Sequence, residues 1–69
     1  MNIPIETSYI KLDSFLKMIN AVSSGGEAKI VISEGVILVN GTVEIRRGRK
    51  LYPGDRIRFG ESEHVVKAA

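Results

Sequence analysis

Gly35-Val36-Ile37-Leu38-Val39-Asn40-Gly41-Thr42-Val43-Glu44-Ile45 is the stretch on which the fold of this chain turns. Before Gly35 the apolar residues recur at helical spacing. After it they form a β-branched block, Val36 to Val39. Asn40-Gly41 then supplies the strongest two-residue hairpin signal, since both central positions of a type I′ turn need positive φ. Thr42 to Ile45 is the expected return strand. Directly beyond it lies Arg46-Arg47-Gly48-Arg49-Lys50, four of the chain's ten basic side chains within five residues. No acidic residue interrupts the run, so it repels itself unless solvent or a polyanion absorbs the charge.

Toward the N-terminus, Ser24-Gly25-Gly26-Glu27 has the form of a capping box. The Ser24 hydroxyl can accept from the Glu27 N–H while the Glu27 carboxylate reaches back to the Ser24 N–H. Ala28, Val31 and Ile32 continue as a buried helical face, and Gly35 supplies the left-handed residue that ends the helix. Further back, Leu12, Phe15, Leu16 and Ile19 recur at i, i+3, i+4 and i+7, which predicts an amphipathic helix over about Leu12 to Ala21. Asp13, Ser14, Lys17 and Asn20 lie on its other face. The few residues between the two helices allow only a tight helical hairpin. Ile3, Ile5 and Thr7 alternate with Pro4 and Glu6 as a first short strand, and Pro4 places it at a sheet edge or strand start.

Past the basic run, Pro53-Gly54-Asp55 is a turn signal and Arg56-Ile57-Arg58-Phe59 alternates as a half-exposed strand. Gly60-Glu61-Ser62-Glu63 turns the chain into a last strand at His64 to Lys67. The order β-α-α-β-β-β-β predicts an α+β fold, two short helices packed on a small antiparallel sheet, with residues 1–69 as a single domain.

Composition narrows the function classes. Sixty-nine residues, 43% hydrophobic and 26% charged, describe an ordinary globular chain near the lower size limit for one core. The formal net charge is +2. The absence of cysteine excludes disulfides and thiolate metal sites. Met1-Asn2-Ile3-Pro4 shows neither the basic n-region nor the apolar h-region of a secretory leader, and no apolar run approaches membrane-spanning length. The chain is expected to be soluble, cytoplasmic and without a membrane partner.

Together these tracts resemble a known family. Ile10 to Lys17, the capped second helix, Gly35 to Gly41 and Pro53 to Ile57 look like the RNA-binding domain named after small-subunit ribosomal protein four, the S-four domain. Ser24 to Lys29 and Arg46 to Leu51 are similar to its small stand-alone bacterial members of the YaaA/YbcJ type. The resemblance covers about Tyr9 to Phe59. It implies the alpha-L fold, two helices packed on a bent sheet, with structured RNA held against the helix pair and the following loop. Carried over by position, Lys11, Lys17 and Lys29 face phosphates, and Asn40 with Arg46, Arg47, Arg49 and Lys50 completes the surface. One departure stands out. Many members follow the serine that opens helix two with arginine, whereas here Ser24 precedes Gly25 and Gly26.

Arginine outnumbers lysine in the basic run, which favours forked contacts to phosphate oxygens or guanine edges over diffuse attraction. A solvated loop is the competing reading. Gly25-Gly26 lacks the pattern of a nucleotide-binding loop and reads as a flexible turn. His64 has neither a second histidine nor a nucleophile pattern beside it, and reads as a strand-end residue. Asp13 suits the first turn of a helix and Asp55 a turn, so neither forms a catalytic pair. Tyr9 and Tyr52 are the aromatics able to stack on bases, Tyr52 being the better placed, although covering the sheet edge competes with that role. Phe15 and Phe59 belong to the core by periodicity.

The resulting expectation is a non-enzymatic, monomeric binder of structured RNA, ribosomal or tRNA-like, acting on a ribosomal subunit or in ribosome assembly without a cofactor. The alternative is a protein-interaction module whose basic loop meets an acidic partner.

Overall fold

The computed structural model describes residues 1–69. In chain order the elements are β1 (Asn2–Ile5), β2 (Ile10–Lys11), α1 (Leu12–Met18), α2 (Gly25–Ser33), β3 (Ile37–Val39), β4 (Thr42–Val43), β5 (Lys50–Leu51), β6 (Arg56–Phe59) and β7 (Ser62–Ala68). Five strands form one sheet in the order β1-β7-β6-β3-β4, and β2 and β5 form a separate two-stranded ribbon. The α+β architecture agrees with the sequence reading.

The helical stripe is the main organiser. Leu12, Phe15 and Leu16 of α1 are fully buried, as are Ala28 and Ile32 of α2. They share one core cluster with Ile5, Ile37, Val39, Leu51, Ile57 and Val66 from the strands, and with Val22 between the helices. Apart from Ala28, each of these side chains contributes about 1.5–3 kcal/mol by leaving water. Phe59 is only partly buried and packs against this cluster.

Helix α1 stops at Met18, shorter than the periodicity predicts. Asn20 adopts φ +60 and breaks the helical backbone. The N–H groups of Asn20 and Ala21 close back on the carbonyls of Lys17 and Leu16 at 3.1 and 3.0 Å. Asparagine tolerates this left-handed conformation, so a residue expected on the polar face acts as the terminator. Ile19 still packs against the core. At the start of α2, Ser24 Oγ accepts from the Glu27 N–H at 3.2 Å, but Glu27 Oε1 accepts from the Ser23 N–H at 3.0 Å instead of from Ser24.

Asn40 and Gly41 take φ +52 and +83, and the hairpin they form pairs Leu38 with Val43 and Val39 with Thr42. The ladder of β4 is shorter than expected and ends at Val43. Strand β7 begins earlier, at Ser62, because Phe59 pairs with Ser62 and leaves Gly60-Glu61 as the turn. One pairing departs from an all-antiparallel sheet. Strand β1 lies at the edge, where Pro4 fits, and runs parallel to β7 with Ile3 opposite Val66. No helix is long and apolar enough to cross a membrane.

Candidate nucleic-acid interface

The basic run begins at Arg46, with Glu44 and Ile45 between it and the end of β4, and is held from three sides. Its backbone covers the start of α1: the Leu12 N–H donates to the Arg49 carbonyl at 2.9 Å and the Asp13 N–H to the Arg47 carbonyl at 3.1 Å. Two of the donors that a helix start leaves unpaired are thereby satisfied. Downstream, Lys50-Leu51 pairs with Lys11-Ile10 in the β2–β5 ribbon. Within the loop, the Arg49 N–H closes a turn on the Arg46 carbonyl at 3.2 Å.

The third anchor is Glu44, which the sequence reading placed only as a strand residue. It is the one charged residue in the buried set, 6% exposed. Its Oε2 accepts from Arg46 Nε at 2.9 Å and from the Arg46 backbone N–H at 3.0 Å. Its Oε1 accepts from Arg46 Nη2 at 3.1 Å and Arg49 Nη1 at 2.7 Å. The forked pair with Arg46, reinforced by Arg49, lowers the Glu44 carboxyl to about 2, against the opposing push of burial. The same bond raises the Arg46 guanidinium. The sequence showed a carboxylate two and five positions before arginines, but its inward direction comes from the register. The Glu44 N–H bonds the Ile37 carbonyl, so the hairpin sets a carboxylate opposite a core residue, with arginines two and five positions on.

The four charges of the run are therefore unequal. Arg46 and Arg49 are each bonded to Glu44, although the Arg46 side chain remains 73% exposed. Arg47 and Lys50 have no carboxylate partner and are exposed. Lys11, directly opposite Lys50 on the ribbon, is exposed and unpaired as well. Lys17 in the last turn of α1 and Lys29 in α2 are exposed, and neither takes part in a salt bridge.

Asn40 has a different place. Its Nδ2 donates to Asp55 Oδ1 at 3.1 Å and its Oδ1 accepts from the Arg56 N–H at 2.9 Å, so both ends of the amide are engaged inside the protein. Asp55 Oδ2 also accepts from the Tyr52 N–H at 2.8 Å, which gives this aspartate a structural part in its turn. Asp13 lies in the first turn of α1 and accepts from the Ser14 N–H at 2.8 Å. His64 stands edge-on to Phe15, with ring centroids 6.3 Å apart and a buried, unpartnered Nδ1. Burial lowers its pKa, and the nearby N-terminal amine adds to the effect. No group of three or more His, Cys, Asp or Glu side chains is arranged to hold a metal.

At the helix start that departs from the resemblance, a side chain on Gly25 would meet nothing within 4 Å, and one on Gly26 would meet only Ser24 Oγ at 3.9 Å. The site is open, and neither glycine is demanded by crowding.

A compact helix pair on a small sheet, with a pinned basic loop beside the first helix, makes this an α+β domain. The family model described as "S4 domain" matches residues 3–67, and the chain belongs to that family. It is 51% identical over 57 residues to the "Probable ribosome maturation protein RlbA" of Bacillus subtilis, covering 83% of this chain and 80% of the relative. It is 39% identical over 59 residues to the "Putative RNA-binding protein YbcJ" of Escherichia coli, covering 84% of each.

Proposed function

We propose that this chain is a single-domain, non-catalytic binder of structured RNA, ribosomal or tRNA-like, that acts as a monomer in the cytoplasm on a maturing ribosomal subunit. The observation that carries the reading is the pinned loop. Exposed Arg47, Lys50 and Lys11 are unpaired, and Arg46 and Arg49 are oriented by a buried carboxylate. A passive solubilising loop has no need of such an anchor. Membership of the S4 family and the printed names of the two relatives support the same reading.

In this reading the phosphates of a folded RNA lie along the loop and the ribbon, with Lys17 and Lys29 extending the contact along the helices. Asn40 contributes by fixing the hairpin that presents the loop. Few side chains are available to read base edges, so selectivity comes mainly from RNA shape.

The test is ultraviolet crosslinking in cells followed by sequencing of the RNA attached to this protein. Enrichment of defined segments of ribosomal RNA is expected. A profile indistinguishable from total cellular RNA, or no crosslinked RNA above background, would contradict the reading.

A further inference from the structure

The β2–β5 ribbon has an outer face that the loop argument leaves unused. Ile10 and Leu51 oppose each other and turn inward, Leu51 being fully buried. By strand alternation, their neighbours Tyr9, Lys11, Lys50 and Tyr52 turn outward. The two tyrosine rings lie side by side, centroids 6.0 Å apart and planes inclined by 46°. Lys50 Nζ sits 4.9 Å from the centroid of Tyr9. Tyr52 is 49% exposed.

Two features of this patch point to a ligand. Lys11 and Lys50 are cross-strand partners, and like charges placed directly opposite destabilise a ribbon unless an anion joins them. None of the three salt bridges of the protein involves either lysine. The Tyr9 ring relieves Lys50 only in part, as an exposed cation–π contact. Beside this pair, Tyr52 offers an open aromatic face. Paired cations next to an exposed aromatic ring match a nucleotide, whose phosphate is anionic and whose base has a π face. An acidic peptide would satisfy the lysines and leave the ring without a partner.

We infer that the outer face of the ribbon, Tyr9, Lys11, Lys50 and Tyr52, is a subsite for one unpaired nucleotide of the bound RNA, its base against Tyr52 and its phosphate between Lys11 and Lys50. The inference rests on the RNA-binding reading above and makes it specific. The preferred RNA is a paired stem interrupted by a bulged or looped-out base, and Tyr9 holds Lys50 in position beneath it.

The experiment compares two short RNA stems of equal length, one fully paired and one with a single bulged nucleotide, on the wild-type chain, Tyr52→Leu and Tyr52→Phe. Leucine covers the ribbon but cannot stack, whereas phenylalanine does both. Wild type and Tyr52→Phe should favour the bulged stem by roughly tenfold or more, and Tyr52→Leu should lose that preference. A second readout needs no variant. The chain has two tyrosines and no tryptophan, so all its tyrosine emission comes from this patch. The bulged stem should quench that emission at one equivalent. Equal binding of both stems by the wild type, or an unchanged preference in Tyr52→Leu, overturns the subsite and leaves the RNA-binding reading standing. An acidic peptide of equal charge is titrated in parallel, and its binding in place of either stem overturns both.

Discussion

The 46–50 loop and the start of α2 are the two places where the sequence departs from an ordinary surface, and they are built in opposite ways. The loop is tied by backbone bonds to α1, by a ribbon to Lys11 and by a buried carboxylate to two of its arginines. The helix start has its serine cap and otherwise open space around two glycines. Both regions can present hydrogen-bond donors to phosphate. Only the loop does so with its entropy already reduced, and preorganised groups lose less on binding. Arginine is missing from the helix start, while the loop carries three arginines in a fixed frame. Under the proposed function, this difference favours the loop over the helix start as the main electrostatic contact.

The sharpest way to break this comparison is to remove the anchor. Glu44→Ala deletes four hydrogen bonds to a carboxylate and should cost about 1–3 kcal/mol in chemical denaturation. It also raises the net charge by one. If Glu44 merely neutralised the arginines, RNA affinity would rise. If it organises them, affinity for structured RNA falls at matched folded fraction, and that fall is the expected result.

Acid probes the same anchor without mutation. The folded Glu44 pKa lies below the ordinary 4.5, at about 2, so its contribution is full above pH 4.5 and is lost as pH falls toward 2. His64 is lowered from 6.5 by burial, so its contribution is full above that value and declines as pH falls below it. Thermal melts across pH should show two separate losses, and Glu44→Gln should remove only the more acidic one. A melt profile in which Glu44→Gln erased the His64 loss, the one that sets in as pH falls below 6.5, would contradict the assignment.

The smallest effect belongs to the open helix start. Gly25→Ala should stabilise by about 0.4–1 kcal/mol, since the added methyl meets nothing and the unfolded chain loses freedom. Its RNA affinity should stay within twofold of wild type. Gly25→Arg should steepen the salt dependence by roughly 0.7 if the helix start lies beside RNA. An affinity loss in Gly25→Ala would show that the bare backbone there is itself a contact.

The sequence carried the core well and the site only in part. The spacing of Leu12, Phe15, Leu16 and Ile19 identified α1, and Asn40-Gly41 identified the hairpin, because each is a local rule. The end of α1 was missed because Asn20 suits a polar helix face and a left-handed stop equally well. The β2–β5 ribbon was missed because two residues are too few to display a period, and its partner lies far along the chain. The parallel β1–β7 pairing is likewise non-local. The basic run was legible as charge, but its division into bonded and free cations depends on Glu44. That residue's inward direction follows from register, which composition does not contain.

The most direct measurement of the central claim is the salt dependence of binding to a structured ribosomal RNA fragment, for the wild-type chain and for the combined Lys11→Ala, Arg47→Ala, Lys50→Ala variant. These are the three unpaired cations of the loop and ribbon. If each meets a phosphate, the slope of log K against log salt should flatten by roughly 2, with affinity falling accordingly. An unchanged slope and an unchanged affinity in a folded variant would contradict the account.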